Sequence, residues 1–376
     1  MGLRAKLANV LWRASRFGEA RGVLQEALEL VDRQHPLQAA RLQARLGRVE
    51  VEDSVSALST STRATICYRA AVAAFDAADE LLGDPAELDQ EASDVWLEVQ
   101  VDGRANLHYW WNEPELGAMA LTRARWVVEA RGSPQRKAGF YAHLAGQQAR
   151  RNRHRIDEEI LANARAAVTA AGQGAGEHAV ASSVSSLGCL LLWHGDLAEA
   201  QEKLEASLAI GERIGDSLLC LVCHVYLNLA ALRRHDVEAV RFLAPMALVA
   251  AQAAAYPMFV AVAKASMAWV AWRDERPEDV VALANEALEL WQGTVVPYAF
   301  TCLCLWPLLA VRLAAGQVDK AVDAGRQLLM PPQIRFPDEL ESLVQSSLDR
   351  WDNGEHERAA SDLAEALELA KRLRYA

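Results

Sequence analysis

Small and apolar residues recur along this chain in blocks of about forty residues, and within each block they follow helical spacing. A helix-length apolar segment leads to a small turn residue. A bulkier residue lies two positions further on, and an alanine follows three positions later. The pattern is clearest in three copies: Gly195/Leu197/Ala200, Gly316/Val318/Ala321 and Gly354/His356/Ala359.

The turn positions of these copies form a series with two more, His235 and Glu275, and neighbouring members are 38 to 41 residues apart. Five copies in phase indicate hairpins of two antiparallel helices, a pattern typical of tetratricopeptide repeats. No segment alternates apolar and polar residues as strands do. A hairpin of this size cannot bury its apolar face alone, so neighbours must share one core. We therefore predict an all-α, right-handed superhelical solenoid of about nine tetratricopeptide-like hairpins.

Repeats of this kind nearly exhaust the chain, which predicts a single solenoid over residues 1–376. The repeats are less regular over 1–170 and regular over 171–376, with breaks at residues 172–176 and 330–332. Neither end carries the polar cap that a solenoid needs, so we expect the chain to be a piece of a longer protein.

Five prolines in the second half of the chain are expected to mark helix starts or first turns, because proline fits there without loss of a hydrogen bond. They are Pro245, Pro257, Pro277, Pro297 and Pro307.

The composition argues against two classes of function. The chain has 39 Lys and Arg against 50 Asp and Glu, a formal charge of −11, which argues against a nucleic-acid-binding body. No apolar run is long enough to cross a bilayer, and the N-terminus lacks the apolar segment of a signal peptide. We expect a cytoplasmic protein that contacts neither nucleic acid nor membrane.

Motifs for catalysis and cofactors do not occur in the sequence. It contains no phosphate loop, nucleophile elbow or zinc-protease motif, and its nine histidines lack metal-ligand spacing. Cys220, Cys223 and His224 spell a haem-attachment motif, but we interpret them as core residues of a helix. We predict no catalytic residue, no metal and no cofactor.

The concave groove of such a solenoid is lined by the first helix of each pair, and the repeat register predicts which side chains face it. Tryptophans stand out, because eleven is a high number and binding surfaces are enriched in them. A basic run over residues 148–155 is the other prominent feature. The groove candidates are Gln100, Arg104, Trp110, Trp111, His143, Gln147, Arg150, Arg151, Ser185, Trp193, Trp269, Trp272 and Arg273.

Each candidate also has a structural interpretation. A tryptophan at helical spacing is more often a filler between helices. Arg150 and Arg151 fall near a helix end, where arginine can satisfy terminal carbonyls, or they bind a carboxylate as bidentate partners. The polar helix over residues 94–106 is either a wall of the groove or a solvated outer helix.

Parts of the sequence resemble the MalT-like tetratricopeptide domain, namely residues 103–114, 193–200 and 208–216. The likeness extends over essentially the whole chain and is greatest to the C-terminal solenoid of bacterial signalling ATPases of the STAND or AAA type. In those proteins a cyclase-like or transcription-factor module accompanies the ATPase. The resemblance implies a sensor and partner-binding arm, and it carries over no ligand-binding residue.

The leading hypothesis is a non-enzymatic sensor or scaffold, the regulatory arm of a bacterial signalling protein. It would bind a protein, a peptide or a small inducer in its concave groove. One alternative is a stand-alone, quorum-type receptor that closes on a short peptide. Another is an unrecognised enzyme on a helical solenoid, with a polar cluster around Asp102, Arg104 and His143.

Overall fold

The computed structural model describes residues 2–14, 16–31, 35–57 and 61–376. In these ranges the regular structure is helical throughout and contains no strand, which confirms the all-α prediction. None of the helices in the same ranges combines the length and the hydrophobicity of a membrane span.

The first four hairpins occupy the chain up to residue 171. The first helix of the third hairpin is one continuous run that consists of α5, a π-helical segment and α6. The bounds are α1 Gly2–Arg13, α2 Phe17–Glu29, α3 Pro36–Ser56, α4 Ser61–Leu82, α5 Gln90–Leu97, π segment Glu98–Ala105, α6 Asn106–Trp110, α7 Pro114–Arg131, α8 Pro134–Arg151 and α9 Glu158–Ala171.

The remaining five hairpins are simpler, since each consists of two α-helices and a connection. Their bounds are α10 Glu177–His194, α11 Leu197–Ile214, α12 Ser217–Arg233, α13 Val237–Ala253, α14 Pro257–Arg273, α15 Pro277–Gln292, α16 Cys302–Ala314, α17 Val318–Leu329, α18 Asp338–Asp352 and α19 His356–Arg372. The described residues thus hold nine helix pairs, the number that the repeat spacing predicts.

The chain groups into two compact units. Unit 1 comprises Met1–Arg151, Ile156–His194 and Glu202–Cys220. Unit 2 comprises Asn152–Arg155, Gly195–Gln201 and Leu221–Ala376.

The predicted turn positions all adopt the left-handed backbone that ends a helix and reverses the chain. Their φ angles are +117° at Gly195, +59° at His235, +57° at Glu275, +70° at Gly316 and +82° at Gly354. The alanines of the pattern, at positions 200, 321 and 359, are fully buried. The repeat register read from the sequence is therefore confirmed.

The expectation for the prolines is only partly correct. Pro257 and Pro277 begin α14 and α15, and Pro297 lies in the connection before α16. Pro245 and Pro307, however, lie inside α13 and α16. A proline inside a helix costs about 3 kcal/mol, and burial of the helix's apolar face outweighs that cost here.

Unit 1 packs closely around Phe75 of α4, which is fully buried. Its ring lies against Gly47 of α3 and Gly103 of the π segment. A Cβ atom at Gly103 would lie 2.6 Å from the ring, so only glycine permits this approach. The two glycines bring the π segment against α3 and α4. This contact positions the polar residues described below.

All six cysteines are free thiols. Cys220, Cys223 and His224 lie on α12, which agrees with their interpretation as residues of a helix rather than a haem-attachment loop.

Candidate functional site

The π segment of unit 1 widens one helix of the third hairpin without breaking it. The residues that flank it, Leu97 and Asn106, both keep right-handed helical angles, so the helix runs on from Gln90 to Trp110. Such segments change which residues share a face, and they are frequent at functional sites. Here the polar side chains of the segment divide between two faces.

Three carboxylates on the first face surround one arginine of the neighbouring helix α8. Arg136 is only 6% exposed. Its guanidinium donates to Asp94 at 3.0 and 3.2 Å and to Glu98 at 3.0 Å, and it also pairs with Asp102. The three acids are spaced four residues apart, so they form one row along α5 and the π segment.

Two further features complete this row. Arg48 of α3 donates to Glu98 at 3.2 Å, so Glu98 lies between two arginines. A Cβ atom at Gly139 of α8 would lie 2.8 Å from Oδ1 of Asp102, so the missing side chain makes room for that carboxylate. His143 follows one turn later on α8, and its ring has no hydrogen-bond partner among the described residues. We call Asp94, Glu98, Asp102, Arg136 and His143 the charged wall.

Burial and charge together set the ionisation of the wall. Burial alone would raise the pKa of Glu98, but Arg136 and Arg48 outweigh it and lower the pKa. Burial alone would lower the pKa of Arg136, but Asp102, Glu98 and Asp94 raise it above the ordinary value. The pKa of His143 is lowered by burial, which exceeds the opposing effect of Asp102. At neutral pH the wall therefore presents an ionised Glu98 beside a neutral imidazole.

The second face of the π segment is turned toward helices α4 and α7. Gln100, 1% exposed, donates to Asp79 at 2.8 Å. Arg104 pairs with Asp76 at 2.7 Å and with Asp79 at 3.2 Å, and Arg123 also reaches Asp79. The structure thus brings the candidates Gln100 and Arg104 together on one carboxylate. Arg104 does not join Asp102 and His143, which lie on the first face.

Gln147 of α8 supports the end of the π segment. Its Nε2 atom donates to the carbonyl oxygen of Ala105 at 2.7 Å, and the side chain is buried. It reaches that carbonyl by passing over Gly117 of α7, where any Cβ atom would collide with the amide. This candidate therefore acts on the backbone of the π segment.

The candidates Trp110 and Trp111 lie at the end of the same helical run, partly buried against α3 and α4. Trp111 donates its indole N–H to Ser54 at 3.2 Å, and its ring centroid is 4.4 Å from that of Tyr68. Trp110 meets the ring of Tyr109 edge-on at 5.5 Å. Both tryptophans pack between helices and keep part of their surface exposed.

The two candidate arginines at the end of α8 differ in their surroundings. The guanidinium of Arg150 lies 4.2 Å from the ring centroid of Tyr109, and it donates to Asn112 at 3.4 Å. Arg151 is half exposed and pairs with Glu115 at 3.1 Å. Arg150 is thus held by an aromatic ring, whereas Arg151 forms a surface ion pair.

The other candidates lie elsewhere in the fold. Ser185 and Trp193 are buried side chains of α10 in unit 1. Unit 2 brings Trp269, Trp272 and Arg273 together, since the guanidinium of Arg273 lies 5.1 and 5.5 Å from the two indole rings. Lys371 of α19 reaches the Trp272 ring at 5.2 Å. Trp269 is almost fully buried, so this group offers mainly Trp272 and Arg273 to a ligand.

One cluster in the described residues has the spacing of a metal site. The ligand atoms of Glu50, Asp53 and Cys67 lie within 4.8 Å of one another. Arg21 already pairs with both carboxylates, and Arg63 pairs with Asp53 at 2.6 Å. Burial, followed by the two carboxylates, raises the pKa of the Cys67 thiol to about 12. Guanidinium charge therefore balances this cluster, and its thiol is protonated at neutral pH.

The sequence pointed to the carboxylates of the charged wall but not to its cation. Asp102 was named together with His143, and Asp94 and Glu98 belong to the same polar helix, but Arg136 carried no signal. Its partners are 34 to 42 residues away in the chain. Their regular spacing of four along one helix was the available indication that one cation would face all three.

No family model and no curated protein matches the sequence. The fold is similar to that of a Rap protein complexed with competence and sporulation factor. The identity is 14%, the TM-score is 0.53, and the match covers 87% of this chain and 96% of the Rap chain. The apo form of RapI matches with 12% identity, a TM-score of 0.48 and 87% of each chain. A STAND protein with a tetratricopeptide repeat sensor from Pyrococcus horikoshii matches with 13% identity and a TM-score of 0.47, over 83% of this chain and 52% of that protein.

The likeness to the Rap complex, together with the nine helix pairs, establishes the fold class. The chain is an all-α protein built of tetratricopeptide-like helical hairpins.

Proposed function

We propose that this protein is a non-enzymatic binding protein whose ligand is a peptide or an extended segment of another protein. The charged wall of unit 1 is its binding surface. The proposal extends to two groove candidates of the same unit, Trp110 and Arg150, which both contact Tyr109 and offer aromatic surface and a further donor.

The observation that carries this proposal is the composition of the wall. Three carboxylates share Arg136, and each carboxylate oxygen has two lone pairs, so acceptor capacity remains for a ligand. Asp94 keeps 40% of its side chain exposed. His143 adds a neutral ring with no partner of its own. Such a surface favours ligands rich in N–H donors and cations.

The geometry favours binding over catalysis. A catalytic cluster would need Asp102, Arg104 and His143 to converge, and Arg104 is instead paired with Asp76 and Asp79. The Rap protein of similar fold is also known in complex with another molecule, and the two chains match over nearly their full lengths. This supports a binding function for the present chain.

The proposal can be tested by selecting ligands with the purified chain. A phage-displayed library of random linear peptides is panned on it, and the affinities of enriched peptides are measured by fluorescence polarisation. We expect enriched peptides to carry Lys or Arg. Their affinity should fall about tenfold or more in the variants Asp102→Asn and His143→Ala, because each removes a ligand contact from a partly desolvated site.

A matched control is Asp323→Asn on α17, which makes the same chemical change at an exposed position. It should leave the affinity unchanged. Enrichment of no peptide would contradict a peptide-binding function. Peptides that bind the two wall variants as tightly as the intact chain would show that the ligand binds elsewhere.

A further inference from the structure

The last residues of the chain fold back onto unit 2. Helix α19 ends at Arg372, and Arg374 takes a left-handed φ of +63°. The N–H of Tyr375 then donates to the carbonyl of Ala370 at 2.8 Å, which reverses the chain. This turn directs Tyr375 and Ala376 toward the ends of other helices in the unit.

Tyr375 meets two side chains that come from widely separated parts of unit 2, and a third packs behind one of them. The Tyr375 ring packs edge-on against Phe336 at 5.2 Å, and Phe336 packs against Trp306 at 5.7 Å. The guanidinium carbon of Arg233, at the end of α12, lies 4.8 Å from the Tyr375 ring centroid. We call Arg233, Trp306 and Phe336 the aromatic socket.

The socket also contacts the backbone of the segment that fills it. The Nε atom of Arg233 donates to the carbonyl oxygen of Arg374 at 3.1 Å. One guanidinium therefore contacts both a main-chain carbonyl and the aromatic ring of the next residue. Arg233 is itself only 6% exposed, and burial lowers its pKa. A buried guanidinium needs such contacts to offset the loss of water.

The floor of the socket is more deeply buried in unit 2 than its occupant. Trp306 and Phe336 are fully buried, but Tyr375 keeps part of its surface exposed. Tyr375 is joined to the unit through the end of α19, beyond the last helical residue. The left-handed backbone at Arg374 costs about 1–2 kcal/mol for a residue other than glycine, which the contacts of the segment must offset. Trp306 and Phe336 also pack against each other, so the floor keeps contacts that do not involve the Tyr375 ring. Ala376 is 1% exposed, so exchange of the ring requires the whole terminal segment to leave with it.

We propose that the aromatic socket is a second binding site, specific for a peptide that carries an exposed tyrosine or phenylalanine, and that Tyr375 is its intramolecular occupant. A peptide ligand donates its ring to the place of the Tyr375 ring and its preceding carbonyl to Arg233. The chain's own segment then acts as a competitor that lowers the affinity of the site. This proposal does not depend on the charged wall.

The test uses the full chain and a probe with the sequence of its own segment, the N-acetylated peptide Leu-Arg-Tyr-Ala. Binding is followed by saturation-transfer NMR on the tyrosine ring protons and by calorimetry. The variant Tyr375→Ala should bind the probe at least about tenfold more tightly than the intact chain, because its socket has lost its ring. The control Tyr375→Phe keeps a ring in the socket and should exclude the probe as the intact chain does.

Two further measurements make the test specific. The peptide Leu-Arg-Ala-Ala should not bind to Tyr375→Ala. The double variant Arg233→Met, Tyr375→Ala should bind the probe about tenfold more weakly than Tyr375→Ala alone. If the methionine variant does not fold, Arg233→Lys replaces it in the same experiment. Equal binding to the intact chain and to Tyr375→Ala would overturn the proposal, as would absence of binding to that variant. Unfolding of Tyr375→Ala at room temperature, seen by circular dichroism, would also overturn it, because Tyr375 would then be core.

Discussion

Arg136 shows how a buried cation can organise several acids that are far apart from it in sequence. Its guanidinium makes contact with Asp94, Glu98 and Asp102, each from a different turn of one helix. Removing one partner of a buried ion pair is costly because the other partner loses both water and its counter-charge. Replacing Arg136 by an uncharged residue would leave three carboxylates close together without a counter-charge.

We expect Arg136→Leu to lower the free energy of unfolding by about 3 kcal/mol, since it leaves the three carboxylates of the wall without their shared cation. Arg136→Lys keeps the charge and should cost less, although a lysine cannot reproduce the forked geometry. Urea denaturation followed by circular dichroism measures both. If both variants lose the same free energy of unfolding, then the shape of the guanidinium, and not its charge, is what Arg136 contributes to stability.

His143 should make stability depend on pH. Its pKa is lowered in the folded chain, so the unfolded chain binds more protons below the ordinary value of 6.5. The stability contributed by the neutral ring is therefore present above pH 6.5 and is lost as the pH falls below it. The intact chain should lose more stability between pH 7.5 and pH 5.5 than His143→Gln does.

Denaturation midpoints at the two pH values measure this difference. The exposed Gln345 provides a control without a titratable side chain, because Gln345→Ala should track the intact chain. Identical pH dependence in the intact chain and His143→Gln would contradict the prediction.

The sequence placed each candidate on a helix but did not reveal which side chains it would meet, and the reason is physical. Gln100 and Arg104 were nominated for the groove, and the structure joins them through Asp79. That acid lies on another helix, so no local pattern could reveal it. Ser185 and Trp193 occupy the nominated helix but are buried there, because small and aromatic residues suit a helix crossing as well as a binding surface.

Helices in this protein approach one another closely where a side chain is absent. Gly139 leaves room on α8 for the Asp102 carboxylate, and Gly117 leaves room on α7 for the Gln147 amide. A glycine inside a helix costs roughly 0.5–1 kcal/mol relative to alanine, so its presence needs a packing reason. Gly22 of α2 has no such reason, because a Cβ atom there would meet open space.

Two Gly→Ala variants, one at a close helix contact and one facing open space, test whether the missing side chain is needed for packing. Gly22→Ala should raise the free energy of unfolding by about 0.5–1 kcal/mol through helix propensity alone. Gly139→Ala gains the same propensity but displaces Asp102, so it should be about 1–3 kcal/mol less stable than Gly22→Ala. Thermal unfolding of both variants gives the difference. A Gly139→Ala chain as stable as Gly22→Ala would refute the close approach.

The turns between the helices of a pair provide a second test at this scale. Glu275 occupies a left-handed position that Gly316 and Gly354 fill elsewhere. Glu275→Gly should therefore stabilise the chain by about 0.5–1 kcal/mol, and Gly354→Ala should destabilise it by about as much or more. Melting temperatures of the two variants should move in opposite directions. A shift of both in the same direction would contradict this account of the turns.

At the scale of the whole molecule, the repeat register was predictable and the irregular helix was not. The turn series required only that small residues recur at a fixed spacing, and five copies in phase made chance unlikely as an explanation. The π segment has no such signature, because one extra residue in a turn leaves the apolar pattern ambiguous. The charged wall was not predictable for the same reason, since Glu98 and Asp102 lie on that segment.

The net charge of −11 leads to a prediction for the whole chain. Nucleic acid binding depends on neutralising phosphates with a basic surface, and several arginines of this acidic chain, among them Arg104 and Arg136, are already paired with its own acids. We expect no retention of single-stranded DNA or RNA in a filter-binding assay at low salt. Salt-sensitive retention would reveal a local basic surface and contradict the prediction.

The extra width of the π segment gives this stretch a property that ordinary helices lack. Deleting a single residue between Glu98 and Ala105 would restore common α geometry without opening a gap in the backbone hydrogen bonds. Residues beyond the deletion would keep their orientation, because a π turn takes up about one residue more than the roughly 3.6 residues of an α turn. Trp110 and Trp111 would therefore stay in their places against α3 and α4, and only side chains within the segment would change face. Evolution could thus redirect the charged side chains of this surface through one codon lost or gained.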